Sequence, residues 1–288
     1  MRFESPIIGL ALSGGAARGM AHVGVLKALV ENGIRIDCVA GTSAGSLVGG
    51  AFASGMALEE IEDLGRKLRW RDIGRVTMSK LGVQSNLRLE QYLRARLPVS
   101  KFEELPIPFA AVATELKTGT AVIMRDRGDV PLAIRASCAI PGWYVPVIDE
   151  EGRQLVDGGL VAVVPSSVTR SLGADIVIAV DVNAAGATFI GPASSVIGVL
   201  LQSMLVVQKT ASHYQLEMSD LVIRPQVGHI RWDEMGRADE LMVAGYEAGL
   251  ESVAGIRALI DEWVKAQPKW YHLRRRRKLL TKRELSLP

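Results

Sequence analysis

The sequence predicts an α/β fold: a three-layer sandwich whose mostly parallel central sheet is covered by helices on both faces. Two short apolar runs, residues 7–12 and 36–40, each predict a buried strand, and a helical pattern follows each of them. Strands that are apolar throughout and alternate with helices are typical of parallel sheets with both faces covered. The chain has 288 residues, of which 48% are hydrophobic, so it is long enough for one large globular unit.

The first elements follow in order from the N-terminus. The strand at residues 7–12 stops at a glycine turn, and residues 17–32 then predict a helix that ends where Asn-Gly supplies a left-handed stop. The strand at residues 36–40 leads into a second helix. Residues 58–70 and 88–97 are amphipathic, which predicts two surface helices with a loop between them.

The remaining elements continue the alternation of strands and helices. Residues 109–114 and 121–124 predict the two strands of a hairpin, because Lys-Thr-Gly-Thr stands between them. The later predicted strands are residues 155–156, 175–182 and 221–224. The later predicted helices are residues 130–138, 165–172, 195–216, 238–250 and 253–267.

The charge is distributed unevenly along the chain. Residues 265–288 contain nine Lys or Arg and one acid, whereas residues 1–264 carry a net charge of −5. We therefore expect one domain over residues 1–264 and a basic tail over 265–288. The tail interleaves cations with aromatic and leucine residues, so residues 269–283 could contact an anionic membrane, although a solvated tail explains the same composition. Nucleic acid is not expected as a partner because the domain itself is acidic.

Composition also bears on location and cofactors. Cys38 and Cys138 stand in apolar surroundings without metal-ligand spacing, which favours buried thiols in a reducing compartment and no metal site. The N-terminus shows no signal-peptide pattern, and no apolar run is long enough to span a bilayer. We expect a cytoplasmic protein, with peripheral membrane contact through the tail, and no cofactor.

A serine turn is the first candidate site. Residues 41–45 read Gly-Thr-Ser-Ala-Gly, a G-x-S-x-G pentapeptide that directly follows the predicted strand at 36–40 and precedes a helix. A serine in a sharp strand-to-helix turn has an exposed hydroxyl above a helix N-terminus. Gly41 and Gly45 flank it because side chains would clash in so tight a turn. Ser43 is therefore the candidate nucleophile.

A glycine turn after the first strand is the candidate oxyanion hole. Consecutive backbone N–H groups at a helix N-terminus can bind developing negative charge, and in a parallel sheet this turn and the serine turn lie at the same edge. A dinucleotide site is the rival interpretation, but the spelling G-x-A-x-x-G departs from that fingerprint and no acid ends the second strand. A purely structural turn would leave the charge of Arg18 without a role. The candidate residues are Gly14, Gly15, Ala16, Arg18 and Gly19.

The base that a serine nucleophile requires is less directly indicated. None of the histidines (His22, His213, His229 and His272) stands in distinctive surroundings. Asp157 follows an apolar strand and precedes Gly158 and Gly159, so its carboxylate has little steric cover and could approach a hydroxyl. A Ser-Asp-His triad remains the competing layout, with Asp157 or Asp181 and His213 or His229.

Taken together, these motifs resemble one family. The order Gly-Gly-x-x-Arg-Gly, G-x-S-x-G and Asp-Gly-Gly is similar to that of the patatin-like phospholipases, in particular the compact bacterial members. The resemblance extends over about residues 7–250. It implies a lipid acyl hydrolase of the phospholipase A or carboxylesterase type, with Ser43 as nucleophile, Asp157 as its base and no histidine. By the same matching, the N–H groups of Gly14, Gly15 and Ala16 would form the oxyanion hole, and Arg18 would buttress it.

Two positions depart from the family pattern. Ala16 stands where many relatives have a third glycine, and Ala162-Val163 stands where Asn-Pro is common after Asp-Gly-Gly. If that asparagine orients the aspartate, the loss of its side chain favours a second interpretation, a regulator or lipid-binding module with little turnover. Trp143 and Tyr144 could line an acyl pocket or simply pack in the core.

Overall fold

The structure is a computed structural model that describes residues 5–183 and 195–267, so the basic tail from 268 onward lies outside the described residues. The strands are β1 (Ile8–Leu12), β2 (Cys38–Thr42), β3 (Arg75–Val76), β4 (Gly82–Ser85), β5 (Phe109–Glu115), β6 (Ala121–Met124), β7 (Gly142–Tyr144), β8 (Val147–Ile148), β9 (Gln154–Asp157), β10 (Ile176–Val180) and β11 (Leu221–Ile223). The α-helices are α1 (Met20–Glu31), α2 (Ala44–Ala53), α3 (Leu58–Lys67), α4 (Trp70–Ile73), α5 (Leu87–Arg94), α6 (Val130–Ser137), α7 (Ser166–Ser171), α8 (Val196–Leu216) and α9 (Ala238–Ala266).

The central sheet has the order β11-β10-β1-β2-β5-β9-β8, and β6 pairs with β5 as its predicted hairpin partner. The five strands from β11 to β5 run parallel, whereas β9, β8 and β6 are antiparallel to their neighbours. The predicted mostly parallel α/β fold is therefore confirmed. A second, three-stranded sheet pairs β3 with β4 and β4 with β7.

Both faces of the central sheet are buried, which explains why its strands are apolar throughout. On one face, Leu10 and Leu12 of β1 join the large core that α1 and α9 complete. On the opposite face, Ala11 packs with Val163 and Val177 in a thinner cluster next to α7. The helices therefore cover the sheet on both faces, with larger residues of β1 on one face and smaller ones on the other.

The structure differs from the predicted elements in three places, one of which is the pair of short strands β7 and β8, which the sequence does not predict. The two closing helices form one continuous helix, α9, because Glu251 and Ser252 are tolerated within a helix and no glycine stop or proline interrupts it. The predicted loop between α3 and α5 contains α4 and the β3–β4 hairpin, whose strands are too short to show an alternating pattern. None of the described helices has the length and hydropathy needed to cross a membrane.

Candidate active site

The register of three strands brings the serine and the aspartate together. Thr42 at the end of β2 is level with Val112 of β5, and the next residue of β5, Ala113, is level with Asp157. Because β9 is antiparallel to β5, it approaches from beyond the carboxyl edge of the parallel strands and ends at the height of Ser43. Two residues 114 positions apart in sequence therefore meet at one sheet edge.

The backbone at Ser43 is held in a strained conformation. Its φ of 53° lies in a region that side-chain-bearing residues seldom adopt, and its ψ is −122°. A Cβ at Gly41 would collide with the Gly45 carbonyl, and one at Gly45 would collide with the Leu12 carbonyl. The buried Ser137 hydroxyl accepts the Ser43 N–H at 2.8 Å. The turn is thus fixed by close backbone packing and by one buried side chain.

The Asp157 carboxylate faces Ser43 from a site with almost no solvent. Its side chain is 3% exposed, and desolvation raises the pKa of Asp157 to about 6. The Gly159 N–H donates to this carboxylate at 2.8 Å, and this hydrogen bond and the nearby Ser43 hydroxyl partly oppose the shift. Its backbone is held as well, because the Asp157 N–H donates to the Ala139 carbonyl at 2.9 Å.

The glycine turn provides two free backbone donors rather than three. The Gly14 N–H donates to the Val163 carbonyl at 3.0 Å, which corrects the expectation that it belongs to an oxyanion hole. The N–H groups of Gly15 and Ala16 form no hydrogen bond within the described part of the chain. Ala16 has a φ of 49°, a left-handed conformation in which glycine would be unstrained. Gly15, Ala16 and Ser43 all line one cavity.

The Arg18 side chain supports the glycine turn through buried hydrogen bonds. The side chain is 5% exposed, its Nε donates to the Ile230 carbonyl at 2.7 Å, and one terminal nitrogen donates to Asn183 Oδ1 at 3.5 Å. Asn183 Nδ2 in turn donates to the Gly14 carbonyl at 2.7 Å. Burial lowers the pKa of Arg18 from its ordinary value. Gly19 closes the turn against Ala44, where a Cβ would collide with that side chain.

At Ala162 and Val163, where the chain departs from the family pattern, the backbone carbonyl groups make the hydrogen bonds. The Ala162 carbonyl accepts the Thr42 hydroxyl at 2.6 Å, and the Val163 carbonyl accepts the Gly14 N–H. The segment after Asp157 therefore ties the serine turn and the glycine turn together through the backbone carbonyl groups of Ala162 and Val163. Gly158 packs so closely on β5 that a Cβ would collide with the Val112 carbonyl.

The structure places none of the described histidines beside Ser43. His22 is buried, its Nε2 lies 2.8 Å from the Ser13 carbonyl, and desolvation lowers its pKa to about 4. His213 is exposed on α8, and His229 pairs with Glu240 at 2.8 Å on the surface. His272 lies outside the described residues. Asp181 lines the same cavity as Ser43, and burial raises its pKa, but its Oδ1 accepts the Asn183 N–H.

Two cavities in the described part of the chain meet at Ser43, and Ala16 and Ile140 line both of them. The first, which we call the polar cleft because it contains Asp157 and Asp181, spans about 940 Å³ including space open to solvent, and apolar residues of α8 such as Leu201 and Leu205 also line it. The second, the apolar cavity, has a volume of about 650 Å³. Its apolar lining includes Met20, Leu47, Leu68, Ile73, Leu89 and Tyr144.

Tyr144 thus lines a cavity next to Ser43, whereas Trp143 packs in the cluster around Val147 and Leu155. Ser137 is not among the candidate site residues predicted from the sequence, and Cys138 was expected only to be a buried thiol. Cys138 lines the apolar cavity, and burial together with the nearby Asp157 raises the pKa of its thiol to about 12. Asn183 was also not predicted from the sequence, although its position shortly after the end of β10 could have indicated that it lies near the site.

Fold and site together define an α/β protein that carries, at one sheet edge, the groups a serine hydrolase requires. The model of the patatin-like phospholipase family matches residues 10–169, and the chain belongs to this family. An uncharacterized NTE family protein of Mycobacterium tuberculosis is 42% identical over 66% of this chain. A protein of Mycosarcoma maydis named lysophospholipase NTE1 is 37% identical over 61% of it.

The chain spans about half of the mycobacterial relative's length (52%) and 10% of the fungal protein's. Among solved structures, VipD from Legionella pneumophila has the same fold, with a TM-score of 0.58 and 14% sequence identity. That alignment covers 90% of this chain and 67% of VipD.

Proposed function

We propose that the protein is a serine lipid acyl hydrolase that cleaves ester-linked acyl chains through a Ser43–Asp157 dyad. The observation that carries the proposal is the buried Asp157 carboxylate, which lines the same cavity as a serine held at a strained strand-to-helix turn. Membership in the patatin-like phospholipase family supports lipid hydrolysis as the reaction class.

The reaction follows from this geometry in two steps. Ser43 Oγ attacks the ester carbonyl carbon while Asp157 accepts the hydroxyl proton, and the Gly15 and Ala16 N–H groups hold the oxyanion. Collapse of the tetrahedral intermediate breaks the ester bond, and Asp157 returns the proton to the departing alkoxide. Water then attacks the acyl-serine with Asp157 again as base, which releases the fatty acid and restores Ser43.

The two cavities suggest how an amphiphilic substrate is placed. The apolar cavity has the character required for an acyl chain, and the polar cleft has room for the alcohol part of the ester. Lys209, at the rim of the cleft on α8, could face an anionic headgroup. The name of the fungal relative supports a substrate with a single acyl chain.

Ester hydrolysis by purified variants tests the proposal. We expect Ser43→Ala and Asp157→Asn each to lose on the order of a thousandfold or more in kcat/KM. Ser212→Ala and Asp181→Asn are the matched controls, because both residues line the polar cleft and neither contacts Ser43; we expect each to stay within about tenfold of the wild type. Undiminished hydrolysis by Ser43→Ala would end the proposal.

Two rivals are decided by the same assay. A Ser-Asp-His triad predicts a large loss on replacing His213 or His229, whereas the dyad predicts small effects from both. A regulator without turnover, which Ala162-Val163 favours, predicts a folded wild type without hydrolysis of any ester offered. Against that second rival, both positions hold the two turns through carbonyl groups that any side chain would leave in place.

A further inference from the structure

The β3–β4 hairpin carries an unusually exposed apolar surface, formed by Val76, Met78 and Leu81. Met78 is 100% exposed, Val76 73% and Leu81 56%. We call these three side chains the hairpin surface. Single exposed apolar residues are normal on proteins, but three that are more than half exposed within six residues of one hairpin favour a binding role.

The hairpin is ordered by its own hydrogen bonds and by the pairing of β4 with β7. The Thr77 N–H donates to the Val83 carbonyl at 3.1 Å, and the Leu81 N–H donates to Ser79 Oγ at 3.1 Å. The β3 and β4 strands pair in antiparallel register, with Val76 level with Gln84. The apolar side chains are therefore presented by a formed turn.

The charges around this surface identify its partner. No acid occurs between Asp72 and Glu90, whereas Arg75, Lys80 and Arg88 all fall within that interval. Arg75 and Lys80 are exposed and form no ion pair with any residue in the described ranges. Apolar side chains at a tip with free cations beside them complement an anionic lipid surface, where the former enter the acyl boundary and the latter meet the headgroups. A second copy docked symmetrically would bring like charges together.

The hairpin is attached to the wall of the apolar cavity. Gln84 of β4 is level with Tyr144 of β7, and Tyr144 lines that cavity. Trp70 and Ile73, which precede β3, and Leu89, which follows β4, line it too. A lipid surface in contact with the hairpin would thus lie next to the elements that enclose the route to Ser43.

We propose that the β3–β4 hairpin is a membrane-docking element, which inserts Val76, Met78 and Leu81 into an anionic lipid surface while Arg75 and Lys80 contact its headgroups. This site is separate from the basic tail, and it binds lipid whether or not Ser43 is catalytic. Docking here would place the protein where ester-linked lipids are concentrated.

Binding of the full-length chain to vesicles tests the proposal, with Ser43→Ala in every protein so that no lipid is cleaved. The vesicles contain phosphatidylcholine and roughly one-third phosphatidylserine. We expect Met78→Asp to lower the partition coefficient about tenfold or more, because a charge replaces a fully exposed apolar side chain. Val243→Asp is the matched control: Val243 is 57% exposed on α9, and this variant adds the same charge. We expect it to bind as the parent does.

Met78→Gln separates insertion from charge repulsion, because it removes the apolar group without adding an acid. We expect it to weaken binding severalfold, and to do so at high salt as well as at low salt. Equal binding by the parent, Met78→Asp and Met78→Gln would overturn the proposal. A Met78→Asp variant that changes the sedimentation coefficient but not vesicle binding would assign the surface to a contact between copies, which also overturns it. Hydrolysis of a short, water-soluble ester by Met78→Gln with Ser43 intact reports on the proposed function independently.

Discussion

The Asp157 carboxylate is the residue whose protonation connects activity with stability. As the proposed base it must be deprotonated, and burial raises its pKa to about 6. We therefore expect kcat/KM for a soluble ester to rise with pH and to reach half its maximum near pH 6. A profile that is flat between pH 5 and pH 8 would remove Asp157 as the titrating base.

The raised pKa of Asp157 makes the folded chain less stable as the pH rises. The folded chain binds the Asp157 proton more tightly than the unfolded chain, whose carboxyl has an ordinary pKa of 3.8, so stability falls as pH rises from about 4 to about 6. We expect Asp157→Asn to unfold with a free energy close to the wild-type value at pH 4 and about 3 kcal/mol higher at pH 7. Chemical denaturation of both proteins across this pH range measures the difference. A constant difference would contradict the prediction.

Ser137 is a positioning residue that acts through the backbone of Ser43. Its hydroxyl accepts the Ser43 N–H and donates to the Val112 carbonyl at 2.6 Å, so Ser137→Ala leaves both groups buried without a partner. We expect a loss of about 1–3 kcal/mol in unfolding free energy and a fall in kcat with KM little changed. Ser54→Ala is the control, since this buried hydroxyl contacts only the Ala51 carbonyl at its own helix end. Equal effects of the two variants on kcat would contradict the assignment.

At the scale of elements, the Gln215 side chain ties α8 to the segment after Asp157. Gln215 Oε1 accepts the Val164 N–H at 2.9 Å, and its Nε2 donates to the Val161 carbonyl at 3.0 Å. We expect Gln215→Ala to speed amide hydrogen exchange in α8 and in residues 161–164, because the variant frees two backbone groups. Val206→Ala on the same helix is the control, since Val206 is 63% exposed. Unchanged exchange in Gln215→Ala would show that packing alone holds α8.

Individual elements show how far the sequence determines the fold. The β1, β2, β5 and β10 strands were predictable because their residues are apolar on both faces, which is a pattern that a few letters reveal. The β3, β7 and β8 strands have only two or three residues, too few for any periodicity. The prediction divides α9 at residues 251–252, because local helix propensity cannot show that α9 packs extensively against α1.

In the candidate site, too, some features could be predicted from the sequence and others could not. Ser43 and the glycine turn were predictable because tight turns restrict which residues fit, and that restriction is visible in sequence. The pairing of Asp157 with Ser43 depends on the register of β9 against β5, which involves residues far apart in the chain. The hydrogen bond that removes Gly14 from the oxyanion donors also comes from a distant segment, so sequence alone could not show it.

At the scale of the whole molecule, the acidic domain and the basic tail divide the charge of the chain. We expect deletion of residues 269–288 to remove most of the salt-sensitive part of vesicle binding, because the eight cations deleted contribute about 1 kcal/mol each close to anionic headgroups before screening. The hairpin surface should account for the part that persists at high salt. Co-sedimentation with vesicles across a salt series measures both parts. Binding that is unchanged by the deletion would exclude the tail.

Covalent labelling by a fluorophosphonate tests whether Asp157 activates Ser43. Intact mass and peptide mapping identify the labelled residue, and the rate is followed from pH 4.5 to pH 8. We expect a single adduct at Ser43 and a labelling rate that rises with pH and has its midpoint near pH 6. We expect Asp157→Asn to be labelled about a thousandfold more slowly, and Ser43→Ala not to be labelled. Labelling of Ser43 at the wild-type rate in Asp157→Asn, or an adduct on another residue, would contradict it.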